Sequence, residues 1–331
     1  MAAAMMRAGR VVRLGRRIFF LAVGGAFSLS PLAGGCDAAI PVWIDTDPAI
    51  GAPWREVDDA FALVIAFHSP ELRIAGISAT YGNAGLKRTT AVARDLVRRF
   101  GEAAAVTESS VYGGAESPMD ATAKTAAIEA LAETLRKEPL IYLALGPLTD
   151  LAAFVRLHPE LTSRIQRVIF VGGISPGEKL TLVTGRSFRI HDANVCKDPA
   201  SVVAVLNSGI PLTLAPVPTS SQLVLEKSAW DSLRGGNLES LYQRSRVWMW
   251  FWTSVLHARG GAIFDALAVL AAAEPSVAVA EKRYAAVDQT GNLIASQRRN
   301  PGAIGVQFLT RLSSTAGEQM QARLQRRASG R

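Results

Sequence analysis

Asp45-Thr46-Asp47-Pro48, followed after residues 49–57 by Asp58-Asp59, decides how this chain reads. Four carboxylates so close in sequence repel one another unless a cation neutralises them. A hard divalent ion with oxygen ligands, Ca²⁺ or Mg²⁺, suits that need. The flanks give the cluster a place in a fold. Pro41-Val42-Trp43-Ile44 is an apolar, strand-like run that ends in the first Asp, and Ala60-Phe61-Ala62-Leu63-Val64-Ile65-Ala66-Phe67 is an apolar, helix-like run that starts after the last. Carboxylates between a strand's end and a helix's start sit where open α/β sheets hold their ligands. The plainer reading is a solvated acidic loop with an Asp capping the helix.

Strand-like and helix-like segments alternate outward from that point. Residues 72–80, 140–145, 167–171 and 211–217 read as strands, and residues 87–100, 126–136, 149–157 and 199–208 as helices. The rhythm predicts an α/β fold: a Rossmann-like, open, mostly parallel sheet with helices on both faces. Residues 101–125, rich in Ala, Ser, Gly and Thr, read as a surface loop with short elements. Trp248, Trp250, Phe251 and Trp252 cluster in residues 246–259. They read as helix-packing residues, with a stacking wall for an aromatic ligand as the alternative.

The charge belongs to the ends. The net charge is +8, but Arg7, Arg10, Arg13, Arg16 and Arg17 lie in an acid-free start, and Arg323, Arg326, Arg327 and Arg331 in an acid-free end. Without those nine charges the body carries about −1, which does not support a nucleic-acid groove. Residues 1–36 read as an export signal: arginines, then an apolar run from Ile18 to Leu32, then Ala33-Gly34-Gly35-Cys36. Arg16-Arg17-Ile18-Phe19-Phe20 resembles a twin-arginine motif. Ala-Gly-Gly-Cys resembles a relaxed lipobox, with Cys36 as the lipidated residue and the periplasm or cell envelope as the destination. A single membrane anchor is the runner-up, and plain secretion with cleavage elsewhere stays open. Cys196 is the other cysteine, so no disulfide framework is implied. His68, His158, His191 and His257 show no zinc-binding spacing. Residues 313–331 read as a basic, frayed tail.

Three further segments carry chemistry. Gly82-Asn83 follows a strand, Asp192-Ala193-Asn194 opens a helix ahead of Asp198-Pro199, and Phe264-Asp265 starts another helix. Each alone is a turn or a cap. Their order resembles the inosine-uridine preferring nucleoside hydrolase family. Asp45-Thr46-Asp47-Pro48 with Asp58-Asp59-Ala60-Phe61-Ala62-Leu63 resembles its first signature, and Thr80-Tyr81-Gly82-Asn83 its second. Val111-Tyr112-Gly113-Gly114-Ala115 with Pro118 resembles its third. Ala144-Leu145-Gly146-Pro147-Leu148-Thr149-Asp150-Leu151-Ala152, running on to Val171-Gly172-Gly173, is the closest match. The resemblance covers residues 40–312, the expected catalytic domain.

The resemblance implies a tightly bound Ca²⁺ and hydrolysis of the N-glycosidic bond of ribonucleosides, releasing ribose and free base. By position it implies Asp47, Asp59 and Asp265 as carboxylate ligands, with the carbonyl of Leu145 adding a backbone oxygen. It assigns Asp58, Asn83, Asp192 and Asn194 to the ribose, Asp45 to a supporting role behind the cluster, and proton abstraction from water to Asp47. It also allows a homo-oligomer, although no stretch of the sequence defines an interface.

The chain departs from the pattern in several places. The family has two residues between the Pro and the Asp pair, whereas residues 49–57 intervene here, so the insertion must bulge out. Phe264 stands where many members have the histidine that protonates the leaving base, which leaves His257 and His191 as candidates. The loop after the third motif is shortened, Asp192 replaces a Glu, and Asp150 stands where Asn is common. The alternative to a hydrolase is a non-catalytic nucleoside- or sugar-binding protein that keeps the calcium cradle. A phosphatase reading of Asp45-Thr46-Asp47 lacks its other motifs.

Overall fold

β1 (Ile40–Thr46) lies inside the sheet, paired in parallel with a strand on either side. Val42, Trp43 and Ile44 are buried in both directions, as expected of a central strand covered on both faces. In this computed structural model the structure describes residues 38–178, 180 and 191–326. The expected export signal, with Arg16, Arg17 and Cys36, lies outside the described residues.

From β1 the chain continues through α1 (Asp58–Phe67), β2 (Leu72–Ala79), α2 (Leu86–Phe100), β3 (Val111–Gly113), α3 (Ala126–Lys137), β4 (Leu140–Ala144), α4 (Thr149–Leu157) and β5 (Ile165–Val171). Next come α5 (Ala193–Lys197), α6 (Pro199–Leu206), β6 (Leu212–Ala215), α7 (Val217–Ser220), β7 (Val224–Glu226), α8 (Lys227–Asp231), α9 (Glu239–Arg244) and α10 (Arg246–Trp250). The chain then runs through β8 (Gly260–Ala262), α11 (Ala266–Ala273), β9 (Ala278–Val287), β10 (Leu293–Ser296), β11 (Ile304–Leu312) and α12 (Ala316–Gln325).

The nine-stranded sheet has the order β10-β9-β11-β6-β5-β4-β1-β2-β3. Every pairing from β11 to β3 is parallel, and β9 runs antiparallel to both β10 and β11. The chain leaves β1 toward β2 and β3, then returns to place β4 on β1's other side. That reversal opens a crevice at the carboxyl ends of β1 and β4, where such sheets bind ligands. Asp45 stands opposite Ala144 at this point.

One core packs α1, α2, α11 and α12 on one face of the sheet, and a second packs α3, α4 and α6 on the other. All ten residues of α1 and all eight of α11 are buried. Beyond the two acids that open α1, these helices are apolar all round, and α11 directly follows Asp265.

The insertion at 49–57 does bulge outward. Ile50 is fully buried and pins its start, while Gly51, Pro53, Trp54 and Arg55 are exposed. Gly51 has φ +84°, a left-handed backbone that favours glycine. Arg244 clamps the turn, donating to the Ile50 carbonyl at 2.9 Å and to Asp95 at 2.7 Å.

The described part of the expected frayed tail differs from that expectation: α12 is a packed helix. Ala316, Met320 and Leu324, spaced by four, are buried against the core. Arg323 reaches Glu71 at 2.9 Å, and Arg326 reaches the His68 carbonyl at 3.0 Å. Arg323 and Arg326, two of the tail's basic residues, tie the helix down.

Candidate functional site

The first motif places its carboxylates on two elements that meet. β1 ends at Thr46, and α1 begins with Asp58 and Asp59 in its first turn, where unpaired backbone N–H groups favour negative charge. Asp59 is the hub. Its Oδ1 accepts the Thr46 hydroxyl at 2.6 Å and the Asp47 backbone N–H at 3.0 Å, and its Oδ2 accepts the Asn83 amide at 3.0 Å. Asp47 Oδ2 accepts the Asn83 backbone N–H at 2.6 Å and the Lys197 ammonium at 3.3 Å.

Gly82 makes this arrangement fit. A Cβ there would lie 1.7 Å from Asp47 Oδ2, so any side chain would expel the carboxylate. The second motif thus brings Asn83 in by bringing backbone close.

Asp265 precedes α11 and closes the cluster from the opposite side. Carboxylate oxygens of Asp58, Asp59 and Asp265 lie within 4.8 Å of one another, all three residues being buried. Asp58 Oδ1 is buried without a hydrogen-bond partner among the described residues. Burial, followed by the neighbouring carboxylates, raises all three above the usual carboxylate range, Asp59 to about 8. An unpartnered oxygen and three repelling carboxylates made only of oxygen donors fit a hard cation. Asp58, Asp59 and Asp265 could hold one, with Asp47 and the Leu145 carbonyl at its edge.

The other side of the cavity is built around the end of β4 and the start of α5. Leu145 follows β4, and its carbonyl accepts the Asn194 amide at 2.6 Å; the same amide reaches the Val171 carbonyl at 3.0 Å. Asp192 caps α5, accepting the Val195 N–H at 3.3 Å and the Gly173 N–H at 2.6 Å. Burial pushes Asp192 up to about 6, against the pull of those backbone donors.

These groups line one cavity of about 260 Å³, whose wall includes Asp58, Asp59, Asn83, Leu145, Asp192, Asn194, Phe264 and Asp265. The volume suits a small ligand with several polar groups aimed inward. A larger hollow of about 440 Å³ near His68, Arg99 and Arg326 holds none of the motif carboxylates. Chemistry, not size, marks the first as the site.

The comparisons with known proteins agree with this geometry. The model of the inosine-uridine preferring nucleoside hydrolase family matches residues 42–319. The chain belongs to that family. Pyrimidine-specific ribonucleoside hydrolase RihA of Escherichia coli O9:H4 (strain HS) is 30% identical over 204 residues, 54% of this chain and 60% of that protein. The match thus spans about three-fifths of the length of the curated relatives. Among solved structures, a plant nucleoside hydrolase superposes with a TM-score of 0.72 at 21% identity, covering 87% of this chain and 99% of the other. A purine-preferring ribonucleoside hydrolase from Gardnerella vaginalis gives 0.69 at 21%, covering 86% and 98%. At those identities the superpositions speak for the fold, the mostly parallel α/β sheet expected from the sequence.

Within this nucleoside hydrolase fold, the sequence-predicted residues converge, with two qualifications. Asp47 is not one of the three carboxylates that meet within 4.8 Å; it contacts the cluster through its backbone N–H and through Asn83. Asp45 faces the other side of β1, where its Oδ1 accepts the Ser78 hydroxyl at 2.5 Å and Ser78 accepts the Trp43 indole at 3.1 Å. Burial and then Asp150 push Asp45 well above its ordinary range. Asp150 sits in the first turn of α4, backed by Gly114, and burial pushes it up to about 7.

Of the two histidine candidates, His191 lines the cavity, and exposed His257 is not part of its wall. Phe264 lines it as well and packs against Trp252 at 6.4 Å. The tryptophan cluster is mainly packing, since Trp248 and Trp252 are buried, but Trp248 also gives its indole N–H to Glu56 at 2.8 Å.

Sequence reasoning missed Glu56 and Lys197. Glu56 lies at the end of the insertion, two residues before Asp58, and lines the cavity. Lys197 ends α5 and turns toward Asp47. Nearness to Asp58 and to Asp198 was the only signal, and spacing alone does not tell which side chains turn inward.

Proposed function

We propose that this protein hydrolyses the N-glycosidic bond of ribonucleosides with a bound calcium ion, releasing ribose and free base. The observation that carries the reading is the buried convergence of Asp58, Asp59 and Asp265 in a cavity shared with Asn83, Asp192 and Asn194. Family membership supports the reaction class.

Asp59 and Asp265 would hold the ion, with Asp58 beside them and Asp47 and the Leu145 carbonyl at its edge, and a bound ion would polarise water and ribose hydroxyls. Asp58, Asn83, Asp192 and Asn194 would hold the ribose, because carboxylates and amides suit vicinal hydroxyls that both donate and accept. As the bond to the base breaks, positive charge grows on the sugar. The carboxylates fixed around it stabilise that charge without reorganising. Asp47 would take the proton from the attacking water at Oδ1, since Oδ2 already accepts from Asn83 and Lys197.

Phe264 favours a second reading, a nucleoside-binding protein that keeps the cradle, because phenylalanine cannot protonate a leaving base. Ribose release from a panel of purine and pyrimidine nucleosides and p-nitrophenyl riboside, with Asp47→Ala as control, separates the two. Cleavage of natural nucleosides that vanishes in the control supports the hydrolase. Cleavage of the activated riboside alone means that leaving-group help is missing. A raised melting temperature with nucleosides and no cleavage supports the binding protein.

The proposal extends to location. Residues 1–36 carry the arginines, apolar run and Cys36 of an export signal, so the protein would act in the periplasm or cell envelope, held there by a lipidated Cys36. The mass of the mature N-terminus tests this: an unmodified chain beginning anywhere other than Cys36 removes the lipid anchor.

A further inference from the structure

Among the described residues, Lys197 is a cation hydrogen-bonded directly to a carboxylate of the first motif. It projects from the last turn of α5 and brings its ammonium to 3.3 Å from Asp47 Oδ2, with its side chain 22% exposed. The position is built. Asp198, the next residue, caps α6 and accepts the Ser201 N–H at 3.0 Å and the Thr149 hydroxyl at 2.7 Å. Asp192 caps the start of α5 through Val195. The short helix is therefore fixed at both ends, and Lys197 is aimed rather than loose.

We propose that Lys197 is a built-in counter-ion of the cluster, pairing with Asp47 and thereby weakening the site's hold on a divalent cation. It rests on the cation-binding reading of the site. Four buried carboxylates cost heavily when unpaired, and one fixed ammonium offsets part of that cost before any metal arrives. The same ammonium then repels an incoming divalent ion a few ångströms away in a medium where such charges are poorly screened. Asp47 Oδ2, already accepting from Asn83 and Lys197, is also the less available oxygen for the ion. Asp58, Asp59 and Asp265 remain the converging set, as their 4.8 Å spacing indicates.

The test is calorimetric titration of the metal-stripped full-length protein with Ca²⁺ alone, comparing wild type with Lys197→Met and Lys197→Arg. Methionine keeps the apolar stem and removes the charge; arginine keeps the charge. Lys197→Met should bind Ca²⁺ about tenfold tighter or better, and its metal-free form should melt below wild type. Lys197→Arg should stay close to wild type in both. Lys197→Gln repeats the neutral substitution if the methionine variant does not fold. Equal or weaker Ca²⁺ binding by the neutral variants overturns the counter-ion role while leaving the hydrolase reading intact. No Ca²⁺ binding by any form, wild type included, overturns both. A purely structural lysine would lower the melting temperature without tightening the metal.

Discussion

Trp248 donates its indole N–H to Glu56 at 2.8 Å, tying helix α10 to the loop inserted after Pro48 at the wall of the carboxylate cavity. The bond explains how a chain with an enlarged first motif still delivers Asp58 and Asp59 to the site. The loop leaves at Ile50, is clamped by Arg244, and is recovered at Glu56 just before α1 begins.

Trp248→Phe removes that donor and leaves a half-buried carboxylate without it. The expected loss is about 1–3 kcal/mol of stability, read as a lower urea midpoint with an unchanged slope. Glu56→Gln keeps an acceptor for the indole and should lose less than Trp248→Phe.

Gly82→Ala is the sharpest geometric test of the second motif. The new Cβ would fall 1.7 Å from Asp47 Oδ2, so the carboxylate or the Asn83 turn must move. A shift of about 1 Å in such a group costs on the order of 100-fold in rate. The variant should lose at least that in kcat/KM for nucleosides while retaining a native circular dichroism spectrum.

Removing Asp265 should have opposite effects with and without metal. Burial and the neighbouring carboxylates raise Asp58, Asp59 and Asp265 together. Asp265→Asn relieves that repulsion, so the metal-free protein should melt higher than wild type. The rise produced by added Ca²⁺ should shrink or vanish, since a ligand that binds only the native state stabilises it by an amount that grows with the logarithm of its affinity. Paired melting curves with chelator and with Ca²⁺ check both signs.

The pH dependence follows from the same groups. Asp192 is pushed up to about 6 and Asp59 to about 8, so the metal-free native state keeps protons that the unfolded chain has released. The stability they contribute is full below the ordinary carboxylate range near 4 and is lost as pH rises toward 8. Metal-free protein should melt lower at pH 8 than at pH 5, by about 2–4 °C for each kcal/mol lost. With saturating Ca²⁺ the difference should flatten or reverse, because the ion replaces those protons.

The sheet and the acidic motif were legible because both rest on runs of one chemistry. The strands expected at 72–80, 140–145 and 167–171 and the helix at 149–157 match β2, β4, β5 and α4 closely, since buried parallel strands and apolar helices leave unbroken apolar stretches. The C-terminal strands β9 and β11 were not foreseen: each mixes buried and exposed residues, and their pairing depends on partners far along the chain. Helix α12 escaped notice because three apolar residues spaced by four are hidden among polar ones. At the site, the motif residues were readable from order and type. Glu56 and Lys197 were not, because what matters in each is the direction of one side chain, fixed by Trp248 and by the caps of α5 and α6.

The most direct test of the account is ribose release from inosine and from uridine by the full-length protein, measured after metal stripping and again after adding Ca²⁺. The account predicts no release from the stripped protein, recovery with Ca²⁺, and no recovery in Asp265→Asn. Undiminished release from the stripped protein, or recovery in Asp265→Asn equal to wild type, would contradict it.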